Sequence, residues 1–272
     1  MVDIRQTQQY ANYLQKNGWI IENNKGNYIF TKKIPIVGFI VKIQRPEFID
    51  YKKINDLTKK YKAFQIMIEP KNDFDIKNLT QMGYKISKSP FLPSKTLKLD
   101  LTASKEQILK NVKKDARRII RRETELKIVN SDNNIQLFRT AWKKSIGLKR
   151  YIPSIKSLES LKKSFKKNCF FALSETKNAG AIFLIADKTA YYWQAFTNKK
   201  GRKDKDQYKI VWEGILWSIK NGAKVFDFEG IYDERFPNKT WLGFTHFKKS
   251  FGGEEFQYPG CFVKTRKLKL LK

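Results

Sequence analysis

The stretch Y208-K-I-V-W-E-G-I-L-W-S-I-K-N-G-A-K-V-F-D-F228 decides the fold, because a helix, a stop signal and a strand follow one another in it. Apolar residues recur at helical spacing through about 206–220, which predicts a helix with one apolar face. Asn221-Gly222 predicts its end, since glycine accepts the left-handed conformation that is common after a last helical turn. The run Lys224–Phe228 then predicts a strand.

A second junction of the same kind lies near residue 83. A predicted helix at about 74–82 ends at Gly83 and leads into a predicted strand at Tyr84–Ser87. Strand-like and helix-like segments also alternate through the rest of the chain, which is typical of α/β and α+β proteins. The repeated junction favours two similar α/β units in tandem.

We predict the boundary between the units near residue 100. This gives a reduced N-terminal domain at 1–100 and a larger C-terminal domain at 101–272. A basic helix at 104–125 is expected to link them, and Ser104 and Gln107 have the S-x-x-Q spacing of a capping box at its start.

The composition predicts a folded protein that attracts polyanions. Of its 272 residues 41% are apolar, with 20 Phe, 12 Tyr and 6 Trp, which is enough for a sizeable core. The formal net charge of +30 favours nucleic acid, phosphorylated small molecules or anionic lipid headgroups as partners. A proteome that is generally rich in lysine would explain the same excess without any partner, so both interpretations stay open.

The predicted helix at 104–125 carries one concentration of positive charge. Residues 105–127 contain nine Lys/Arg and four Asp/Glu, and Arg117 and Arg121 lie on the basic face. Because arginine can bind phosphate through two parallel hydrogen bonds, both are candidate phosphate ligands. A solvated helix face is the alternative.

Residues 143–167 form the second basic segment. They contain nine Lys/Arg and a single acid, Glu159. Gly147 and Pro153 interrupt the helical pattern, so Lys149 and Arg150 are predicted to lie in a connection, where binding groups are frequent. They are further candidates for binding phosphate.

The sequence lacks the residue patterns of several common catalytic and binding sites. With two cysteines far apart and one histidine the chain has no Cys/His zinc pattern, and Cys169 and Cys261 are expected to be buried thiols. No phosphate-binding glycine loop, dinucleotide fingerprint or nucleophile elbow occurs. The chemistry that remains is a transfer between two bound partners, catalysed by positioning and electrostatic stabilisation.

No apolar leader and no window of 18 apolar residues is found, so we expect a cytoplasmic protein that could act at the membrane surface.

Three blocks in order carry a resemblance to a known family. They are T96-L-K-L-D-L-T-A-S-K-E-Q-I-L-K-N-V-K-K-D-A-R-R-I-I-R-R122, the stretch from Tyr208 to Ile231 that ends in D-F-E-G-I, and G243-F-T-H-F-K-K-S-F-G-G253. They resemble the FemABX family of non-ribosomal peptidyl transferases, and the resemblance covers residues 96–264. It implies tandem GNAT-like domains with mixed central sheets flanked by helices, the N-terminal domain reduced, in a compact, FemX-like form.

The resemblance also implies a reaction and its partners. It implies transfer of an amino acid from aminoacyl-tRNA to a UDP- or lipid-linked muramyl peptide, which is a step in cell-wall interpeptide bridge formation and peptidoglycan biosynthesis. No cofactor is expected. We expect a monomer with a peripheral contact at the cytoplasmic face of the membrane.

The third block supplies the candidate catalytic residue. Lys248 matches the lysine that follows Phe247 in the family's F-K-x-x-F signature, and the resemblance implies that this lysine lies at the aminoacyl ester. The residues alone agree, because a lysine ammonium held against an apolar wall can stabilise the oxyanion of ester aminolysis.

Neighbouring residues complete the predicted site. Phe247, Tyr192 and Trp193 are expected to line the substrate cleft, although an aromatic strand pair belongs to a core equally often. Lys249 is expected in solvent, and His246 is expected to have a structural role rather than to act as a base.

One departure from the family and two rival functions stay open. Glu229 stands where the family has the first glycine of D-F-G-G, which puts the backbone there in question. An acyl-CoA-dependent GNAT enzyme would need [Q/R]-x-x-G-x-[G/A] before its helix, and the nearest stretch, Asn198–Lys203, has the wrong first and last residues. A basic RNA-binding protein without catalysis is the other rival.

Overall fold

The computed structural model describes residues 1–122, 128–130, 134–147 and 151–266. Its helices are α1 (Gln8–Lys16), α2 (Tyr51–Lys60), α3 (Ile76–Gln81), α4 (Lys105–Asn111), α5 (Lys114–Arg121), α6 (Ile135–Ile146), α7 (Ile155–Phe165), α8 (Lys199–Asp204), α9 (Asp206–Lys220) and α10 (Leu242–Lys249). Its strands are β1 (Ile20–Asn24), β2 (Asn27–Ile34), β3 (Gly38–Gln44), β4 (Gln65–Glu69), β5 (Lys85–Ile86), β6 (Lys95–Asp100), β7 (Ile128–Asn130), β8 (Cys169–Ser174), β9 (Ala179–Ala186), β10 (Thr189–Thr197), β11 (Val225–Asp227), β12 (Glu254–Gln257) and β13 (Phe262–Thr265).

The chain folds into two compact units. The N-unit contains residues 2–95, 233–238 and the segment from residue 257 onward, and the C-unit contains Met1, 96–232 and 239–256. The limits predicted from the sequence, 1–100 and 101–272, remain a prediction. The two compact units differ from these limits because residues 233–238 and the segment from residue 257 onward belong to the N-unit.

The N-unit is built on a six-stranded sheet with the order β1-β2-β3-β4-β13-β5. β3 and β4 are parallel and α2 joins them, while the other neighbours are antiparallel. Alternate residues of these strands bury one face, where Ile29, Val41 and Ile66 pack with Ile54 and Leu57 of α2. The late strand β13 thus completes a sheet that begins more than 200 residues earlier.

The C-unit is built on a seven-stranded sheet with the order β12-β6-β11-β10-β9-β8-β7. β10 and β11 are parallel and are joined by α8 and α9, whereas β7 to β10 are antiparallel neighbours. β9 is buried along its whole length. α9 approaches it so closely that a Cβ on Gly214 would come within 2.2 Å of the Phe183 ring, so a glycine is required there.

The two helix–glycine–strand junctions are confirmed. Gly83 and Gly222 both have φ +79°, the left-handed conformation that glycine accepts without steric cost. The next residue closes the last turn in each case, because Tyr84 N–H donates to Leu79 O and Ala223 N–H donates to Ser218 O, both at 3.0 Å. The predicted span of α9 is also confirmed.

The single basic helix predicted at 104–125 is wrong, because α4 and α5 are separate helices. Val112 between them is extended (ψ 135°) and its side chain is buried in the core. The next amide, Lys113 N–H, donates to Ser250 O at 2.8 Å instead of continuing the helix. The cap at Ser104 is present, since its Oγ accepts from Gln107 N–H at 3.2 Å.

Cys169 and Cys261 are buried free thiols, as the sequence predicts, and burial raises the pKa of the Cys261 thiol to about 12. Among the described residues no group of His, Cys, Asp and Glu could hold a metal ion. None of the helices in the described ranges is both long and apolar enough to cross a bilayer.

Candidate active site

The two parallel strands of the C-unit separate at their carboxyl ends. Their pairing runs from Thr189↔Val225 to Tyr191↔Asp227, yet β10 continues to Thr197. On its other edge β11 continues its antiparallel ladder with β6, since Phe228 N–H donates to Leu97 O at 3.0 Å. A register shift against β9 between Tyr192 and Gln194 places a β-bulge at Trp193. The parallel pairing of β10 with β11 therefore ends at Asp227, and the bulged part of β10 continues without residues 228–231 beside it as a strand.

A small hydrogen-bond network fixes the turn that follows β11. Asp227 is buried, and its Oδ1 accepts from the Thr96 hydroxyl at 2.6 Å and from Glu229 N–H at 2.8 Å. Thr96 Oγ1 in turn accepts from Gly230 N–H at 3.1 Å. Glu229 has φ +53°, a left-handed conformation that favours glycine. The glycine that the family has at this position would adopt this backbone conformation without strain, whereas Glu229 adopts it with a steric cost.

Lys248 reaches this turn from α10. Its Nζ donates to Phe228 O at 2.7 Å and to Gly230 O at 2.6 Å, and the residue is only 8% exposed. α10 is fixed to the same turn at a second point, because Thr245 Oγ1 accepts from Tyr232 N–H at 2.7 Å. The lysine therefore lies at the end of β11, where the parallel strands diverge.

The surroundings of the Lys248 ammonium are apolar and aromatic. Its Nζ lies 4.9 Å from the centre of the Phe244 ring and 5.6 Å from that of Tyr192. Burial lowers the pKa of Lys248 to about 8, although the carboxylates of Glu229 and Asp227 act to raise it. Within the described part of the chain its hydrogen-bond acceptors are carbonyl oxygens rather than carboxylates. The site thus holds a cation that is not neutralised by a direct ion pair.

Gln207 in the first turn of α9 adds a polar group that the sequence did not single out. Its Nε2 donates to the Tyr192 hydroxyl at 2.7 Å, and the residue is 9% exposed. Its Oε1 is buried and has no hydrogen-bond donor among the described residues. A buried acceptor without a donor is costly in a folded protein, and a ligand or a water molecule can supply the missing donor. No signal in the sequence separates Gln207 from the other polar residues of this helix, such as Lys209 and Glu213.

Three of the predicted site residues are placed in different surroundings. Tyr192 lies at the site, and Trp193 is half-buried at the bulge beside it. Phe247 instead packs edge-on against Tyr208 at 4.8 Å and Phe251 at 5.4 Å between ring centres. The aromatic residue of α10 that faces the lysine ammonium is Phe244, which the sequence reasoning missed.

The basic residues predicted to bind phosphate are only partly described. Arg117 is half-buried, with Nη1 donating to Lys110 O at 2.9 Å, and Arg121 is exposed at the end of α5. Lys209 Nζ donates to Arg122 O at 2.8 Å, which places this end of α5 beside the first turn of α9. Lys149 and Arg150 lie outside the described residues.

The remaining lysine and the histidine of α10 are exposed. Lys249 makes an ion pair with Glu255 at the surface, and His246 is exposed one turn before it. Neither side chain shares the buried position of Lys248.

The glycine pair that ends the third block is explained by close packing. A Cβ on Gly252 (φ +82°) would lie 2.9 Å from Asn111 O, and one on Gly253 (φ +94°) would lie 2.5 Å from Lys98 O. Both positions combine a left-handed backbone with contact to another segment's main chain. The pair therefore lets the chain pass α4 and β6 directly after α10.

The segment between β10 and α9 does not form an open phosphate-binding loop. Residues 199–204 form α8, and Asn198 Oδ1 caps it by accepting from Gly201 N–H at 2.8 Å. Asp204 precedes α9 and Asp206 is its first residue. Burial raises the pKa of Asp206, and the negative charge of Asp204 raises it further. Helix N-termini that bind pyrophosphate present free backbone N–H groups and no carboxylates. This arrangement disfavours acyl-CoA.

The corresponding parallel strands of the N-unit stay closed. β3 and β4 remain paired to Gln44↔Glu69, and Arg45 N–H donates to Glu69 O at 2.6 Å beyond that pair. The Gln44 side-chain amide also donates to the Glu69 carboxylate at 2.7 Å. In the described part of the N-unit these strands therefore do not separate as β10 and β11 do, and we place the candidate site in the C-unit.

A separate cleft of about 720 Å³ lies at the edge of the C-unit sheet. It is lined by residues of β6, α4 and β12, among them Lys98, Asn111 and Phe256, with the Lys98 ammonium 3.9 Å from the centre of the Phe256 ring. Lys248 and Gln207 are not part of its lining. We therefore do not place it in the candidate site.

The fold and this site define a class of protein. A sheet whose central parallel strands diverge behind a bulged strand is the GNAT-like arrangement, and solved structures with that fold match the chain. The crystal structure of FemX matches with a TM-score of 0.77 at 15% identity, covering 97% of this chain and 92% of that one. A tandem GNAT protein from the clavulanic acid biosynthesis pathway matches with a TM-score of 0.55 at 8% identity, covering 89% and 81%.

The sequence comparisons give the family. The model of the FemAB family matches residues 123–270, more than half of the chain, and the chain belongs to the FemAB family. The aminoacyltransferase FemA of Staphylococcus epidermidis is 24% identical over 91 residues, which are 34% of this chain. The matched region spans about a fifth (22%) of that relative's length. The predicted family and the tandem GNAT-like fold are confirmed.

Proposed function

We propose that the protein is an aminoacyltransferase that moves an amino acid from aminoacyl-tRNA to the peptide of a peptidoglycan precursor. The observation that carries the proposal is the buried ammonium of Lys248, which among the described residues has carbonyl partners and no direct ion pair, at the end of the pairing between β10 and β11. Membership of the FemAB family and the similarity to an aminoacyltransferase named FemA support this reaction.

The reaction needs stabilisation of charge more than it needs a protein nucleophile. The acceptor amine attacks the ester carbonyl, a C–N bond forms and the C–O bond to the tRNA ribose breaks. The amine loses a proton, and the leaving ribose oxygen takes one up. Negative charge develops on the carbonyl oxygen in between. A lysine ammonium has three N–H donors, of which the main chain uses two on Lys248, so the third can donate to that oxygen.

Gln207 has a suitable acceptor for the attacking amine. Its buried Oε1 has no donor among the described residues, while its Nε2 is held by the Tyr192 hydroxyl. A neutral amine or its ammonium form would supply the missing N–H donor. We therefore assign Gln207 a positioning role for the amine and Tyr192 the role of orienting Gln207.

The C-unit also contains the basic residues that we propose bind the donor substrate. Arg117 and Arg121 on α5, with Lys209 nearby, are proposed to contact tRNA phosphates, since cationic side chains supply most of the affinity for nucleic acid. The acceptor is a UDP- or lipid-linked muramyl peptide, and both substrates place the reaction in the cytoplasm. A monomer suffices, because Tyr192, Gln207 and Lys248 all come from one unit of one chain.

A transfer assay tests the proposal. The purified protein is incubated with a set of charged tRNAs and with UDP- and lipid-linked muramyl peptides, and the extended peptide is detected by mass spectrometry. We expect transfer from aminoacyl-tRNA and no turnover with acyl-CoA. Turnover with acyl-CoA and none with any aminoacyl-tRNA would establish the GNAT acyltransferase instead. Salt-sensitive tRNA binding without any transfer would establish the RNA-binding protein.

The pH dependence of transfer should report the protonation of Lys248. If the ammonium form is required, kcat/KM falls above about pH 8, because the pKa of Lys248 is lowered to about 8. The Glu229 carboxylate raises that pKa, so Glu229→Gln removes a stabilising negative charge and lowers the pKa further. The descending limb of the pH profile should therefore move to lower pH in Glu229→Gln.

Glu213→Gln is the matched control for this shift. Glu213 is exposed on α9 and is not among the groups that shift the pKa of Lys248. Its variant should keep the wild-type profile. An unchanged limb in Glu229→Gln would show that the titrating group is not Lys248.

A further inference from the structure

The connection between β2 and β3 in the N-unit exposes an aliphatic tip. Pro35-Ile36-Val37 forms it, and Ile36 is fully exposed at 106% relative accessibility. Val37 N–H donates to Pro35 O at 2.8 Å across Ile36, which has φ +67°. This is a γ-turn of the rare, strained kind with positive φ, and a β-branched residue is the least suited to it. Neither packing nor backbone preference within the N-unit accounts for isoleucine here.

Three chain segments meet at this end of the N-unit sheet. Gly38 at the start of β3 lies beside Phe64, whose Cβ would be 3.9 Å from a Cβ built on the glycine. Phe64 N–H donates to Phe39 O at 2.7 Å, and Arg266 N–H donates to Phe64 O at 2.8 Å. We define the tip surface as Pro35, Ile36 and Val37 together with the exposed cations Lys33, Lys62 and Arg266.

The charge of the tip surface is entirely positive. The parts of the three segments that lie at this end of the sheet, residues 33–39, 62–66 and 263–266, contain four lysines and arginines and no aspartate or glutamate. The sequence that follows Arg266, K267-L-K-L-L-K272, consists of three lysines and three leucines.

We propose that the tip surface docks the protein on a bilayer that contains anionic lipids. Aliphatic side chains such as Ile36 and Val37 gain free energy by entering the boundary between headgroups and acyl chains, while nearby lysines and arginines bind the lipid phosphates. An RNA partner would use the cations but would leave the aliphatic tip in water. The combination of both features therefore favours a membrane surface over a nucleic acid.

The proposal goes beyond the proposed transfer reaction and does not depend on it. Membrane docking is measured with vesicles and without substrate, so the two tests are independent. Docking can fail while transfer succeeds, and transfer can fail while docking succeeds. It would bring the protein to the membrane face.

Vesicle sedimentation with the full chain tests the docking. We expect binding to phosphatidylcholine vesicles that contain a quarter phosphatidylglycerol and little binding to phosphatidylcholine alone. Ile36→Asn should weaken binding to the anionic vesicles about tenfold, since it removes the apolar side chain that enters the bilayer. Asparagine tolerates positive φ, so this variant should fold at least as well as the wild type.

Phe74→Asn is the matched control. Phe74 is 90% exposed, but it follows the carboxyl end of β4, whereas the tip precedes the amino end of the parallel strand β3. The two side chains therefore lie at opposite ends of the same sheet. Phe74→Asn should bind anionic vesicles as the wild type does.

A second readout locates the contact. Both native cysteines are buried, so an environment-sensitive dye attached to Ile36→Cys reports on position 36. Its emission should shift to the blue with anionic vesicles and stay unchanged with tRNA. Equal binding by the wild type and Ile36→Asn, equal loss in Phe74→Asn, or a dye response to tRNA but not to vesicles would each overturn the proposal.

Discussion

Replacing Lys248 by methionine should lower kcat for aminoacyl transfer by about 10²–10³-fold, equivalent to about 2.7–4 kcal/mol of transition-state stabilisation. Methionine keeps the length and apolar bulk of the side chain but removes the ammonium that we propose donates to the developing oxyanion. Because this charge appears only in the transition state, the effect should fall on kcat and leave KM for aminoacyl-tRNA nearly unchanged. Steady-state kinetics with a fixed acceptor would measure both constants.

Lys249→Met separates this role from a general loss of charge. Lys249 is the next residue of α10, carries the same charge, and pairs with Glu255 at the surface. Its variant should keep kcat within about threefold of the wild type, as expected for an exposed ion pair.

Folding must also be checked in Lys248→Met, since the ammonium holds two main-chain carbonyls at Phe228 and Gly230. Circular dichroism and thermal unfolding would show whether that turn survives. A folded Lys248→Met protein with nearly full kcat would leave Lys248 only a structural role.

Gly253→Ala should destabilise the protein by about 2–5 kcal/mol. The left-handed backbone accounts for about 1–2 kcal/mol of this and overpacking for about 1–3 kcal/mol. The added Cβ would lie 2.5 Å from Lys98 O, a main-chain atom that cannot rotate away as a side chain can. Equilibrium unfolding in urea would measure the loss as a lower midpoint.

Gly243→Ala is the internal reference for that measurement. Gly243 also belongs to the third sequence block, but it lies in α10 and a Cβ there would meet no atom within 4 Å. Alanine is the better helix former, so this variant should be neutral or more stable by up to about 1 kcal/mol. Similar destabilisation of both variants would refute the close-packing explanation for the glycine pair.

Local sequence signals predicted the elements that local interactions determine. The apolar spacing of α9 and the glycine after it specified a helix over residues 206–220 and a strand beyond, and both are present. The same holds at Gly83. A helix stop and an apolar stripe depend on residues within a few positions of each other, so they are readable without knowledge of the fold.

The break between α4 and α5 shows where such signals fail. The basic stretch 105–121 has helical spacing throughout, yet Val112 is extended because its side chain enters the core and the next amide bonds to Ser250. That acceptor is more than 130 residues away in the sequence. A long-range contact outweighs a weak local preference, as it often does for helix propensity.

The features of the candidate site also fall into those that the sequence predicts and those that depend on tertiary packing. The sequence by itself determined that Lys248 follows an aromatic residue in a family signature, that two glycines follow it, and that the chain is strongly basic. Only the tertiary structure decided that Phe244 rather than Phe247 faces the ammonium and that the carbonyls of Phe228 and Gly230 accept from it. It also decided that the buried Oε1 of Gln207 has no donor among the described residues. The physical reason is that periodicity specifies which face of an element is apolar, whereas packing between distant segments decides which groups meet on that face.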